Sequence, residues 1–222
     1  MVEFVSLRSI IYDIMNIIRN SKISDDEPIS ERLIENWIHQ YRAKLIKQDL
    51  DKGKYPNPSY IQEFLNDDGT YVHLVKESRP TENVYVSSIS IPKTIDLNYK
   101  SGITFIGDVE GNEIQLVPES RTKWQQFRMF ARRSTMAYLR NSYLYILNPR
   151  GLYYVTIRGL FEIPTELPGN TLDTKYPIPI NMLPTLKEMI LKTELNIELN
   201  SLSDQTNDSQ SLLESNIKQP TR

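Results

Sequence analysis

The chain has no cysteine and only two histidines, His39 and His73. Without thiols it forms no disulfide staple, no thiolate metal site and no cysteine nucleophile. Two imidazoles are too few for a histidine-rich metal centre. Glycine is scarce at 8 residues, which leaves little material for a phosphate-cradling loop, and no Gly-x-Ser-x-Gly or His-Glu-x-x-His motif occurs. Neither sign of charge dominates. Lys and Arg total 26 against 28 Asp and Glu, a net charge of −2, so a globally basic nucleic-acid binder is not indicated. No apolar run approaches the roughly 18–20 residues that cross a bilayer. The opening MVEFVSLRSIIYDIMNIIRN is broken by Arg8, Asp13, Asn16 and Arg19. It lacks the unbroken apolar stretch of a signal peptide and reads as a packed helix of a non-secreted protein.

What the 222 residues do hold is ample for a buried core. Isoleucine outnumbers alanine 25 to 3, and there are 16 asparagines and 13 tyrosines. This skew follows AT-rich codons rather than folding physics. Leu7, Ile10, Ile11, Ile14, Ile17 and Ile18 recur at helical spacing. A turn at Ser24–Pro28 follows, then a longer helix from about Ser30 to Leu50. Leu33, Ile34, Trp37, Ile38, Tyr41 and Leu45 form its stripe, and Gly53 is its stop. The pair predicts an antiparallel helical hairpin, and residues 59–65 read as one more helical turn.

From Tyr71 the period changes. Val72–Val75, Val84–Val86 and Ile103–Ile106 are β-rich runs. The turn Asp108–Asn112 leads into an alternating Glu113–Val117. The polar stretch 118–140 opens with a short helix. The clearest hairpin signal is Tyr143–Leu147, Asn148-Pro149-Arg150-Gly151, then Leu152–Ile157. Five prolines between 164 and 184 predict an extended arm running over a surface. A last helix starts near Pro184, and residues 200–222 are too polar to bury. The expected fold is α+β, with a helical hairpin over 1–66 and an antiparallel β-domain with a short helix over 67–164. Residues 165–222 supply the Pro-rich arm, a C-terminal helix and a flexible or docking tail.

Charge is segregated along the chain. Residues 120–161 carry Arg121, Lys123, Arg128, Arg132, Arg133, Arg140, Arg150 and Arg158 with no acid. Residues 25–35 carry Asp25, Asp26, Glu27, Glu31 and Glu35 against Arg32 alone. Such separation suits head-to-tail contact between copies, basic face to acidic face. Asp25, Asp26 and Glu27 offer oxygen ligands for a divalent cation, but no second carboxylate cluster completes a shell, so they read as an acidic helix start and a subunit contact. Trp37 and Tyr41 read as helix packing, with an interface role second. Glu35 and His39 at i, i+4 read as a surface pair. Arg121, Lys123, Arg128, Arg132, Arg133 and Arg140, interleaved with Trp124, Phe127, Phe130 and Tyr138, are the best nucleic-acid candidates. The simpler reading is a basic surface facing a neighbouring copy or a passage for DNA. Leu212, Leu213 and Ile217 make a small apolar set in the tail, suited to docking on a partner. No cofactor and no catalytic constellation is indicated. The alternative to a structural role is a nucleic-acid-associated or regulatory module using residues 121–140.

Four segments, SERLIENWIHQYRAKLIKQDLDKG at 30–53, YLYILNPRGLYYVTIRGLFEIP at 143–164, PTLKEMILKTEL at 184–195 and TNDS at 206–209, occur in an order that resembles the ring proteins of the crAss-like phage head-to-tail connector. The resemblance spans most of residues 6–208. It implies a non-enzymatic virion protein of the phage neck, assembled in the host cytoplasm. It also implies a ring of copies of this chain, twelve in number, contacting the portal protein and the next ring or tail protein. DNA would pass through with transient, non-specific contact, and no membrane is involved.

Overall fold

The computed structural model describes residues 5–21, 29–66, 69–77, 83–98, 101–125, 127 and 134–195. Two helices open the chain, α1 over Leu7–Ser21 and α2 over Glu31–Asp51. Ser30 caps α2, its hydroxyl accepting from the Leu33 N–H at 3.3 Å. At the far end Gly53 takes φ 79°, and its N–H reaches the Leu50 carbonyl. That left-handed geometry suits a residue without a Cβ.

Among the described residues eight strands follow: β1 Gln62–Phe64, β2 Val72–Lys76, β3 Val84–Ser87, β4 Ile103–Gly107, β5 Gln115–Leu116, β6 Met136–Arg140, β7 Tyr143–Leu147 and β8 Tyr154–Gly159. A short helix, α3, spans Glu119–Gln125, and α4 spans Leu183–Glu194. The strands form one curled, largely antiparallel sheet in the order β1-β8-β2-β3-β7-β6-β5, with β4 also on β8. β5 and β6 are parallel. β1 and β4 both pair with Ile157, Arg158 and Gly159, so they occupy opposite edges of β8. The fold is α+β, as the sequence implies.

Three apolar clusters hold it together. Leu7, Ile10 and Ile14 of α1, Ile34, Ile38 and Tyr41 of α2, and Leu186 and Ile190 of α4 share the first. Val72, Leu74, Ala137, Leu144, Ile146, Val155 and Ile157 face one side of the sheet and fill the second. Ile46, Tyr60, Ile95 and Leu160 join the two layers.

Three local expectations change. Tyr143–Leu147 and Leu152–Ile157 are not a hairpin: β7 pairs with β3 and β6, whereas β8 pairs with β1, β2 and β4. Left-handed backbone at Asn148, Arg150 and Gly151 swings the chain away from β7 instead of folding it back. The real partner of β7 is β6, from the second half of the polar stretch, joined through a two-residue turn at Asn141-Ser142. The Pro-rich arm is not a surface strap. Tyr176, Pro177 and Ile178 are buried, with Tyr176 and Ile178 inside the helical core. Residues 58–60 make a 3-10 turn, and 62–64 are strand rather than helix.

Candidate assembly surfaces

Tyr41 is buried in the helical core, and its hydroxyl donates to Glu194 Oε1 at 2.6 Å, tying α2 to the end of α4. That carboxylate pushes the Tyr41 pKa up, with burial adding to it. Trp37 is half-buried against the same core. Asp25, Asp26 and Glu27 lie outside the described residues, as do Arg128, Arg132, Arg133, Leu212, Leu213 and Ile217.

The described members of the basic stretch occupy several surfaces. Arg121 and Lys123 are exposed on α3 and form no ion pair among the described residues. Arg140 on β6 lies 3.7 Å from Glu119. Arg158 on β8 pairs with Glu63 at 3.4 Å and lies over the Phe105 ring. Of the interleaved aromatics, Tyr138 is buried and stacks on Tyr145 with centroids 5.1 Å apart. Trp124 and Phe127 are the opposite case. They are 70% and 74% exposed, and their rings meet at 6.3 Å.

Across β2, β3 and β7 the outer side of the sheet has little charge. His73, Val75, Val86, Tyr143 and Tyr145 share that side by strand alternation and register, and Arg140 stands at its border. Val75, Tyr143 and the neighbouring Tyr154 are exposed. An antiparallel sheet face left to water normally carries polar side chains, so this one has the composition of a covered surface.

Sequence reasoning passed over the junction of helices and sheet. Arg42 is fully buried. Its Nε donates to the Pro177 carbonyl at 2.9 Å, its Nη1 to the Phe161 carbonyl at 2.9 Å, and its Nη2 reaches Gln62 Oε1 at 3.5 Å. The guanidinium also lies over the Tyr176 ring, 5.6 Å from its centroid. No carboxylate pairs with it among the described residues. His39 is no surface partner of Glu35. It is buried, with Nδ1 2.9 Å from Tyr176 Oη and Nε2 3.5 Å from Glu35 Oε1, beyond hydrogen-bond contact. Desolvation lowers its pKa to about 4, and Arg42 adds to the effect. The stripe Ile34, Ile38, Arg42, Ile46 held the signal: position 42 falls on the buried face by helical period.

This junction is a built-in clamp: the guanidinium is held by two backbone carbonyls, the Gln62 amide oxygen and the Tyr176 ring, while His39 Nε2 has no hydrogen-bond partner among the described residues. Among the described residues no group of three or more His, Asp or Glu could hold a metal ion. No described helix is long and apolar enough to cross a membrane.

Against known families, residues 9–217 match the one described as phage tail ring protein 2, of crAss-like phages. No curated protein matches the chain.

Proposed function

Because the chain belongs to the crAss-like phage tail ring protein family, we propose that it is a virion protein whose copies form one ring of the phage neck, joining portal to tail around a channel for DNA. The family match over nearly the whole chain carries this reading. Two features of the surface support it. The outer face of β2, β3 and β7 is poor in charge, and Arg121 and Lys123, with no ion pair among the described residues, stand beside the exposed Trp124 on α3 and Phe127 just beyond it. A ring gathers many weak contacts into one stable object, so each interface can remain partly polar. Twelve copies, head-to-tail contacts and a C-terminal segment that docks on the portal or a neighbour complete the proposal. The chain would act without catalysis or cofactor, as a spacer through which DNA slides and to which it binds weakly.

The test is electron microscopy of the purified protein, alone and with its portal protein. Rings of uniform diameter that stack on the portal are expected. A protein that stays monomeric at every concentration, and with portal present, overturns the reading. Submicromolar binding of single-stranded DNA with a steep salt dependence would instead favour a nucleic-acid module built on residues 121–140.

A further inference from the structure

α3 lies on the outer side of the sheet: Glu119 meets Arg140, whose side chain points away from the sheet core. The helix presents Arg121, Lys123, Trp124 and, just beyond it, Phe127, all exposed. Large aromatics left exposed beside cations with no ion pair among the described residues are an anchor without a seat, since such side chains dominate interfaces once desolvated.

A candidate seat is lined by none of these four residues. The β4–β5 turn, the β7–β8 loop and residues 134–135 enclose an open groove of about 650 Å³. Val109, Ile114, Leu152 and Tyr153 give it an apolar and aromatic lining, and Glu110 and Glu113 stand on it as carboxylates. Both glutamates are exposed, and neither forms an ion pair among the described residues. Arg150 also lines the groove. Volumes of roughly 300–1,000 Å³ accept a drug-sized group, the scale of two aromatic side chains.

We propose that α3 of one copy seats Trp124 and Phe127 in this groove of a second copy, with Arg121 and Lys123 against Glu110 and Glu113. The inference rests on the ring reading and names its lateral contact. Anchor and seat are different surfaces, so the contact is heterologous and propagates from copy to copy, which is the requirement for a closed ring. Charge complementarity selects a second copy as the occupant: each protomer carries Arg121 and Lys123 on the anchor and Glu110 and Glu113 at the seat, none of them ion-paired among the described residues.

The experiment uses the full chain and two charge-reversed forms. Arg121→Glu with Lys123→Glu makes both surfaces acidic; Glu110→Lys with Glu113→Lys makes both basic. Each form alone should self-associate at least about tenfold more weakly. An equimolar mixture should recover assembly, because every anchor then finds an opposite seat in alternating order. Trp124 emission should move to shorter wavelength as wild-type protein is concentrated into assemblies, and Trp124→Phe should abolish that shift. Assemblies that form with Trp124 still solvated, or a mixture that does not recover, overturn the contact and leave the ring reading standing. Failure to assemble under any condition overturns both. An emission shift driven by single-stranded DNA and not by protein concentration assigns the anchor to nucleic acid and overturns the proposal.

Discussion

Arg42 Nη1 donates to the Phe161 carbonyl oxygen at 2.9 Å, and this bond fastens α2 to the residues that leave β8. A fully buried guanidinium held by carbonyls and one phenol ring is costly to desolvate, and removing it strands the acceptors it serves.

Arg42→Ala should therefore lower unfolding stability by about 3 kcal/mol or more, from lost packing and from the unpaired Phe161 and Pro177 carbonyls. Arg42→Met fills the space and should cost less. Arg42→Lys should also destabilise, because a single ammonium does not reproduce the fork that reaches three acceptors. Urea denaturation of the three variants gives the order directly. An alanine variant as stable as wild type would show that the clamp contributes nothing.

His39 makes stability fall with acid. Its folded pKa is about 4 against 6.5 unperturbed. Between those values the unfolded chain takes up a proton that the folded chain refuses, so folding weakens as pH drops from 6.5 and is untouched above neutrality. The total over that interval is about 3 kcal/mol. Glu35, Arg42 and Tyr176 surround the ring, and carboxylates elsewhere titrate in the same range. The quantity to measure is thus the difference in pH slope between wild type and His39→Gln. The variant should show the shallower slope.

The β6–β7 hairpin closes through Asn141 at φ 49° and Ser142 at φ 64°. A two-residue turn with both residues left-handed favours Asn-Gly. Ser142→Gly should raise stability by about 0.5–1 kcal/mol. Thermal unfolding should show a higher midpoint; a lower one would mean that the serine side chain stabilises the turn.

Gly102 has no room for a side chain. A Cβ there would lie 2.6 Å from Thr94 Cβ and 2.7 Å from the Ile95 carbonyl oxygen. Gly102→Ala should destabilise by about 1–3 kcal/mol through displacement of the 94–95 segment. The exposed Gly111→Asn, where nothing crowds the Cβ and asparagine tolerates positive φ, is the milder comparison. Chemical denaturation of the two should separate them clearly.

The helices were legible because their signals are local. Ser30, Gly53 and the isoleucine spacing act within a few residues of one another. Strand partners were less so. Asn148-Pro149-Arg150-Gly151 reads as a tight turn from its own composition, yet the β2–β3 pair lies between the strands it joins, and only distant residues dictate that. The proline arm looked exposed because prolines usually are; here the lost N–H groups matter little, and Tyr176 and Ile178 bring apolar surface into the helical core. Arginine is usually solvent-facing, but position 42 falls on the buried face of α2, where acceptors on Phe161, Pro177 and Gln62 converge on it. The anchor was legible as charge and aromatics, but the groove, lined by the β4–β5 turn, the β7–β8 loop and residues 134–135, needed the fold.

Lys187 donates to Asp13 at 2.6 Å across 174 residues of sequence, and Leu186 and Ile190 complete the cluster that α1 begins. α1 is thus sealed by α4, the last helix among the described residues. A growing chain carries the uncovered stripe of α1 and α2 until α4 has been synthesised. Abortive products ending before α4 would present that stripe to every other chain nearby, so premature termination of translation endangers this protein through aggregation more than through loss of one helix.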